Sequence, residues 1–303
     1  MRFRVNLDFD AALSRNNKNF KNEKFLKELE YIFFLVNNIS NVTLCSQNKY
    51  SNKYLSHLHD LGFTIPNIDD NITNYINWWG NLENFEQVKE TNSKCALAKW
   101  HRPLADKIIR SKEDLEESFP TFYRPDQTFS GIGNKVLNSV KDFERLGFPG
   151  VQSRYVKVVK TFGVTYDFKN NDYFIVENFV SDKGEFKGGR LIQINELPIS
   201  FDLEKYINDI KEHIPEALLN NKIQFDNMIY LENSESKICP IVEINYRRTM
   251  GEVIMNVTKV LGDGTLYFGD KTALNSNSLI LSPDFVKNIC YFNRALGLVK
   301  SAK

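Results

Sequence analysis

Two carboxylates and a carboxamide fall in a pattern that can hold a cation: Asp226 in FDNMIYLE (225–232), and Glu243 and Asn245 in KICPIVEINYRR (237–248). Both segments read as strands of a hairpin. Strand side chains alternate faces, so Glu243, Asn245 and Arg247 share one face while Val242, Ile244 and Tyr246 take the other. If Asn233 to Ser236 form a four-residue loop, Glu232 pairs with Lys237, and the same register sets Asp226 opposite Glu243. Like charges directly opposed destabilise a sheet. Two carboxylates and a carboxamide oxygen on one patch instead suit Mg2+, which takes oxygen ligands and keeps waters for substrate phosphates. A solvated polar face on an ordinary hairpin is the plainer alternative.

Other stretches carry weaker signals. The loop RPDQTFSGIG (124–133) lies between two short strands, and glycines such as Gly131 and Gly133 let backbone amides approach a phosphate. It lacks the Gly-Lys-Ser/Thr ending of a Walker loop, and most such loops merely turn. YFIVENFV (173–180) is an apolar strand interrupted by Glu177 and Asn178, and a buried strand normally avoids an unpaired carboxylate. Lys187 and Arg190 in FKGGRLIQ either approach a ligand or lie on a solvated strand. Thr249-Met250-Gly251 opens a helix whose first amides could meet an anion. No nucleophile elbow, zinc motif or dinucleotide fingerprint occurs, and His57, His59, His101 and His213 have no metal spacing.

The run D-x-M-x-Y…P-I-V-E-I-N-Y-R resembles the carboxy-terminal signature of the ATP-grasp superfamily. The resemblance covers about residues 92–262. It implies that Asp226, Glu243 and Asn245 hold the magnesium ions bridging ATP phosphates, and that 124–133 is the flexible glycine loop above them. Arg124 stands where the family usually has lysine; arginine keeps the charge but is not interchangeable with lysine. Asn92-Ser93-Lys94 resembles the start of the central subdomain, whose lysine often reaches the nucleotide, although Lys94 also reads as a solvated helix-start lysine and Lys107 is the runner-up. Glu177 matches the motif residue that binds ribose, with Asp182 as the other choice, and Asn178, Phe179 and Val180 match the linker at the adenine edge. Arg190 would approach the triphosphate, and Arg247 would steady a phosphate or acyl phosphate. Arg248 points the other way, toward substrate or solvent.

The elements that must position these residues can be read along the chain. Residues 1–10 alternate weakly as a first strand; Phe25, Leu26, Leu29, Ile32, Phe33 and Val36 recur at helical spacing. A strand at 42–45, a helix through Tyr54 and Leu58 stopped at Gly62, and a strand at 63–65 complete a small open α/β layer. Residues 67–93 read as a connecting region, with Trp78 and Trp79 as core or interface anchors. Beyond it, helices are expected at 94–100, 112–119, 139–146, 203–214 and 251–261. Strands are expected at 107–109, 121–124, 135–137, 151–164 and 173–180. Ser282-Pro283-Asp284 reads as the start of a last helix.

Length and composition bound the rest. With 303 residues, 42% hydrophobic and 25% charged, the chain has the make-up of an ordinary globular protein of two or three subdomains. A net charge of +1 gives no basic field for nucleic acid or anionic membrane. The start MRFRVNLDFD lacks the apolar run of a signal peptide, and the densest apolar stretch, 31–36, is too short to span a bilayer. Four scattered cysteines favour a reducing, cytoplasmic setting over disulfides.

The expected fold is therefore mixed α/β of the α+β kind. An open α/β domain (1–91) precedes two α+β subdomains that clasp ATP: 92–180 with the glycine loop and adenine linker, and 181–303 with the metal site. The activity implied by the resemblance is an ATP-dependent ligase that activates a small carboxylate, such as an amino acid or peptide, as an acyl phosphate and passes it to an amine or other nucleophile. The alternative is a nucleotide-binding regulatory or scaffold protein with degraded chemistry, chiefly because of Arg124. Expected partners are ATP, Mg2+ and small-molecule carboxylate and amine substrates, with no nucleic acid and no membrane; a homodimer is left open.

Overall fold

The computed structural model describes residues 1–22, 27–36, 40–182, 184–219, 221–270, 274, 278–286, 290, 291 and 294–300. In chain order the first elements are β1 (Arg2–Arg4), α1 (Phe9–Ser14), α2 (Ile32–Val36), β2 (Thr43–Cys45), α3 (Asn52–Asp60), β3 (Asn67–Asp69), β4 (Ile76–Asn77), α4 (Phe85–Thr91) and α5 (Lys94–Trp100). A second group follows: β5 (Lys107–Ile109), β6 (Thr121–Pro125), β7 (Lys135–Leu137) and β8 (Gly150–Arg154). Then come β9 (Lys157–Asp167), β10 (Asp172–Val180), β11 (Phe186–Ile192), α6 (Leu203–Lys211), β12 (Lys222–Glu232), β13 (Glu235–Asn245) and α7 (Met250–Leu261). The chain closes with β14 (Gly264–Asp270), β15 (Leu279–Ile280), β16 (Phe285–Val286), β17 (Cys290–Tyr291) and β18 (Arg294–Lys300).

These elements make a mixed α/β structure. The parallel sheet β3-β2-β1-β4 is the open α/β layer expected at the amino end. A small antiparallel sheet, β5-β8-β6-β7, carries the glycine loop between β6 and β7. The large antiparallel sheet runs β13-β12-β9-β10-β11-β14-β18-β15, so β9 and β10 are bonded into the sheet that also holds the 225–245 hairpin.

Burial explains how the pieces hold together. One continuous apolar cluster runs from Phe33, Leu58 and Trp78 through Ile254 to Ile175 and Phe225. Helix α7 joins the two layers, packing against α2 on one side and β10 and β11 on the other. The small sheet has its own core of Ile109, Tyr123, Leu137 and Phe143. Each such side chain contributes about 1.5–3 kcal/mol on burial, so this sheet rests on far less apolar area than the rest.

Several local expectations are corrected. The alternation at 1–10 ends at Arg4, because Phe9 starts α1 instead of continuing a strand. The helix read through Leu29 and Ile32 is present at 27–29 and 32–36 with a turn between, while Phe25 and Leu26 lie outside the described residues. The strand placed at 63–65 lies beyond Pro66, at Asn67–Asp69. Residues 67–93 are not a mere connector: they supply β3, β4 and α4, and Trp78 and Trp79 are buried. The helices expected at 112–119 and 139–146 shrink to short 3-10 turns capped by Ser111 with Asp114 and Ser139 with Asp142. Ser282-Pro283-Asp284 leads into strand β16, not a helix, because the segment's backbone pairs antiparallel with β17.

Candidate active site

The hairpin β12–β13 sets Asp226 directly opposite Glu243. The turn differs from the expected loop: Asn233 and Ser234 alone form it, both with positive φ (50° and 67°), and Glu232 pairs with Glu235, not Lys237. A two-residue turn of this kind matches the twist of the flanking strands. The change at the turn is offset by a bulge between Cys239 and Glu243 that restores the Asp226–Glu243 pairing. Asn245 is buried and its Nδ2 donates to Asp226 Oδ2 at 2.7 Å. Gln224, two residues before Asp226, donates from Nε2 to Asp226 Oδ1 at 2.7 Å. Burial first, and the facing Glu243 second, push the Asp226 carboxyl up to about 6.

A cleft of about 1640 Å³ lies in front of this pair. Asp226, Glu243, Asn245, Arg247, Lys94, Arg124, Gly131, Gly133 and residues Glu177 to Val180 all line it. Arg190, expected near the triphosphate, does not line it, nor do Lys107, Lys187 and Arg248.

Each side chain is held by its neighbours. Lys94, at the first turn of α5, is 4% exposed, and its ammonium donates to the carbonyls of Asp126 (3.1 Å) and Thr128 (2.7 Å) and to Glu243 Oε1 (3.4 Å). Ser93 caps that helix by accepting from Ala96 N, and its hydroxyl donates to Asp126 Oδ1 at 2.8 Å. Arg124 donates to Val242 O (2.6 Å) and to buried Asp106 (3.0 Å). Arg247 Nε donates to Asp10 Oδ1 at 2.6 Å, and the guanidinium lies over Trp79, 5.7 Å from the ring centroid. Arg248 turns away and binds Glu252 (2.9 Å) over Trp78.

The far end of the cleft is built by β10 and the glycine loop. Glu177 pairs with Lys160 (2.9 Å) and with Arg190 (2.8 Å), so Arg190 stands behind Glu177 as its support. Thr161 Oγ1 donates to Asn178 O (2.8 Å), and Phe179 stacks with Tyr267. Ser130, Gly131 and Gly133 have φ of 52°, 71° and 78°, a left-handed run that glycine adopts without the side-chain penalty. The loop passes close to the connection between β10 and β11: a Cβ on Gly184 would meet Asn134 Nδ2 at 3.5 Å and Gly131 Cα at 3.8 Å.

Sequence reasoning missed Asp10, Lys160, Asp106 and Gln224. Gln224 was within reach, because it shares the face of Asp226 at the strand period of two. Lys160 and Asp106 were not, since their neighbours come from register and from a sheet contact between distant segments.

The donor set decides whether Mg2+ fits. Two facing, half-buried carboxylates, with no lysine or arginine bonded to Asp226 among the described residues, and the neighbouring carboxamide of Asn245 suit a cation that takes oxygen ligands and keeps several waters. Among the described residues no group of three or more His, Cys, Asp or Glu forms a metal cage, the arrangement an all-protein site would need. In this geometry Asn245 orients Asp226 through its nitrogen; turning the amide would present its oxygen.

No protein-family model matches the chain, and no curated protein matches it. Solved structures do. The biotin carboxylase domain of the Hydrogenobacter thermophilus 2-oxoglutarate carboxylase, with MgADP, ADP and bicarbonate, aligns at TM-score 0.54 and 8% identity over 99% of this chain and 86% of that one. An uncharacterised ATP-grasp superfamily protein from Archaeoglobus fulgidus aligns at 0.50 and 9% identity over 99% of each chain. The ADP complex of N5-carboxyaminoimidazole ribonucleotide synthetase aligns at 0.50 and 11% identity, over 99% of this chain and 93% of that one. At such identities the likeness is one of fold, and the fold of this chain is the ATP-grasp fold.

Proposed function

We propose that the protein is an ATP-dependent ligase that activates a small carboxylate as an acyl phosphate and transfers the acyl group to an amine or other nucleophile. The observation that carries this reading is the half-buried pair Asp226–Glu243, facing one another across adjacent strands and lining the cleft. Asp226, Glu243 and Asn245 would hold Mg2+, which when bound offsets charge on the transferring phosphoryl group.

The chain's own residues then have separable roles. Backbone amides around Gly131 and Gly133 cover the phosphates and keep water from the acyl phosphate. Lys94 fixes the start of that loop to Glu243. Lys160 adds charge from the floor, and Glu177 to Val180 form the nucleoside end. Arg247 steadies the phosphate or the acid. Its ion pair with Asp10 presents opposite charges side by side, a match for a zwitterionic acid such as an amino acid or peptide. In this reading residues 1–91 supply part of the acid site, 92–180 the cover and nucleotide linker, and 181–303 the metal site. A cytoplasmic setting belongs to the same reading, supported by the free thiols of Cys45, Cys95 and Cys239.

The test is ADP release across a panel of acids and amines, with mass detection of product. Asp226→Asn and Glu243→Gln are each expected to abolish turnover while circular dichroism stays that of the wild type. Turnover unchanged in both would overturn the reading. A second reading, nucleotide binding without catalysis, is favoured by one feature: Arg124 is already engaged by Asp106. Tight Mg-dependent ATP binding with no ADP release across the whole panel would favour it.

A further inference from the structure

The geometry points to Asn227 as a positioning residue: its buried carboxamide holds the bulge that brings Glu243 opposite Asp226. The register makes the need plain. At the turn end the ladder pairs Met228 with Cys239 and Tyr230 with Lys237. Continued regularly, that ladder would put Asp226 opposite Ile241 and Gln224 opposite Glu243. The two carboxylates would then lie on the same face but two residues out of step. Instead Pro240, Ile241 and Val242 separate Cys239 from Glu243, where Asn227 alone separates Met228 from Asp226. The two extra residues shift the register by one full strand period, so side-chain faces are kept and only the partner changes.

This bulge does not hold itself. Ile241 sits at φ 50°, a left-handed conformation that is a genuine outlier for a β-branched side chain. Such conformations persist where the surroundings over-determine them, often at functional sites. Ile241 N has left the ladder, and it donates to Asn227 Oδ1 at 3.0 Å. Tyr206 on α6 donates its hydroxyl to the same oxygen at 2.8 Å, and Asn227 Nδ2 donates to Phe225 O at 2.8 Å. Asn227 is 1% exposed and Ile241 is 4% exposed, so these bonds are largely shielded from bulk solvent. A carboxamide is suited to this place because it accepts twice and donates on one short side chain.

The inference rests on the proposed Mg2+ role of Asp226 and Glu243, and its test separates the two. Full-length protein is titrated with Mn2+ in the presence of a non-hydrolysable ATP analogue and followed by electron paramagnetic resonance, alongside the Mg2+ dependence of ADP release. Asn227→Leu is expected to raise half-saturating metal by about 10–100-fold, the usual loss when a residue orienting a metal ligand is removed. Tyr206→Phe, which leaves the Ile241 bond in place, is expected to move it in the same direction by less, and it decides the matter if the leucine variant does not fold. Lower thermal stability with metal half-saturation unchanged in the folded variants would reduce Asn227 to a structural role and overturn the inference. If wild type binds metal and nucleotide and Asp226→Asn does not, unchanged half-saturation in the Asn227 and Tyr206 variants overturns this inference alone and leaves the ligase reading standing. If wild type binds no metal–nucleotide, the ligase reading falls and this inference with it.

Discussion

The ammonium of Lys94 lies 3.4 Å from Glu243 Oε1, although 149 residues separate the two in sequence. The same ammonium closes on the carbonyls of Asp126 and Thr128, so one buried cation ties the start of the glycine loop to the carboxylate at the floor of the cleft. Removing it leaves two carbonyls and a carboxylate without their donor. Lys94→Met is expected to raise KM for ATP and to lower the rate of ADP release by about 100-fold, the scale of losing one charged stabiliser at a phosphoryl site. Steady-state kinetics check this; a change confined to melting temperature would mark Lys94 as purely structural.

Arg124 and Asp106 form an ion pair whose side chains are 15% and 5% exposed. Breaking a buried pair by removing one partner leaves an uncompensated charge and costs about 3–5 kcal/mol. Arg124→Met is therefore expected to lower stability by that amount in denaturant unfolding. Pairing it with Asp106→Asn should recover much of the loss. Nucleotide affinity that falls in the double variant, measured by calorimetry, would show that Arg124 also reaches phosphate.

Gly251 is the second residue of α7, and a Cβ there would meet Gln224 Oε1 at 2.6 Å. Gln224 is the side chain that donates to Asp226, and its Oε1 accepts from the Thr249 hydroxyl. Alanine in a helix is favoured over glycine by about 1 kcal/mol, but forcing a Cβ against a buried, hydrogen-bonded side chain costs about 1–3 kcal/mol, so Gly251→Ala should lower thermal stability slightly. It should also raise half-saturating Mg2+ several-fold by displacing Gln224 from Asp226. A folded variant that needs more Mg2+ at a temperature well below its own melting point is the expected signature, checked by Mg2+ titration beside thermal unfolding.

Metal binding should depend on pH through Asp226. Its carboxyl is pushed up to about 6 by burial, and Mg2+ needs it ionised. Half-saturating Mg2+ is expected to fall as pH rises from 5 to 7 and to level off above. In metal-free protein the sign for stability is opposite. A folded-state value above that of the unfolded carboxyl means that the folded form binds more protons, so this contribution is present at low pH and lost as pH rises through about 6.

The same sign applies to Glu30, which is 8% exposed and pushed up to about 7 by desolvation. Its Oε1 accepts from Ser46, from Asn48 Nδ2 (2.9 Å) and from the Tyr50 hydroxyl (3.1 Å), and Asn48 Oδ1 has no partner among the described residues. A proton on Glu30 adds a donor to a cluster with a spare acceptor. Stability should therefore decline between about pH 4.5 and 7, and Glu30→Gln, neutral at every pH, should flatten that decline. Thermal unfolding across this range checks it.

Local chemistry fixed much of this protein in advance. The period of two placed Glu243, Asn245 and Arg247 on one face; the apolar stripe and Gly62 delimited α3; the paired tryptophans anchored a core. These depend on neighbours a few residues apart, which a linear pattern records. The pairing of Asp226 with Glu243 was legible only in part: the turn was read two residues too long, and a bulge that no pattern announces shifted the register by the same amount. The tertiary structure alone decided what surrounds each charge. It set Asp10 against Arg247, Asp106 against Arg124, Lys160 against Glu177, and placed Arg190 behind the cleft wall. Those partners come from segments up to 237 residues apart. Which distant charges meet is determined by how the sheets and α7 pack to bury one shared apolar core, a collective free energy that the sequence does not display residue by residue.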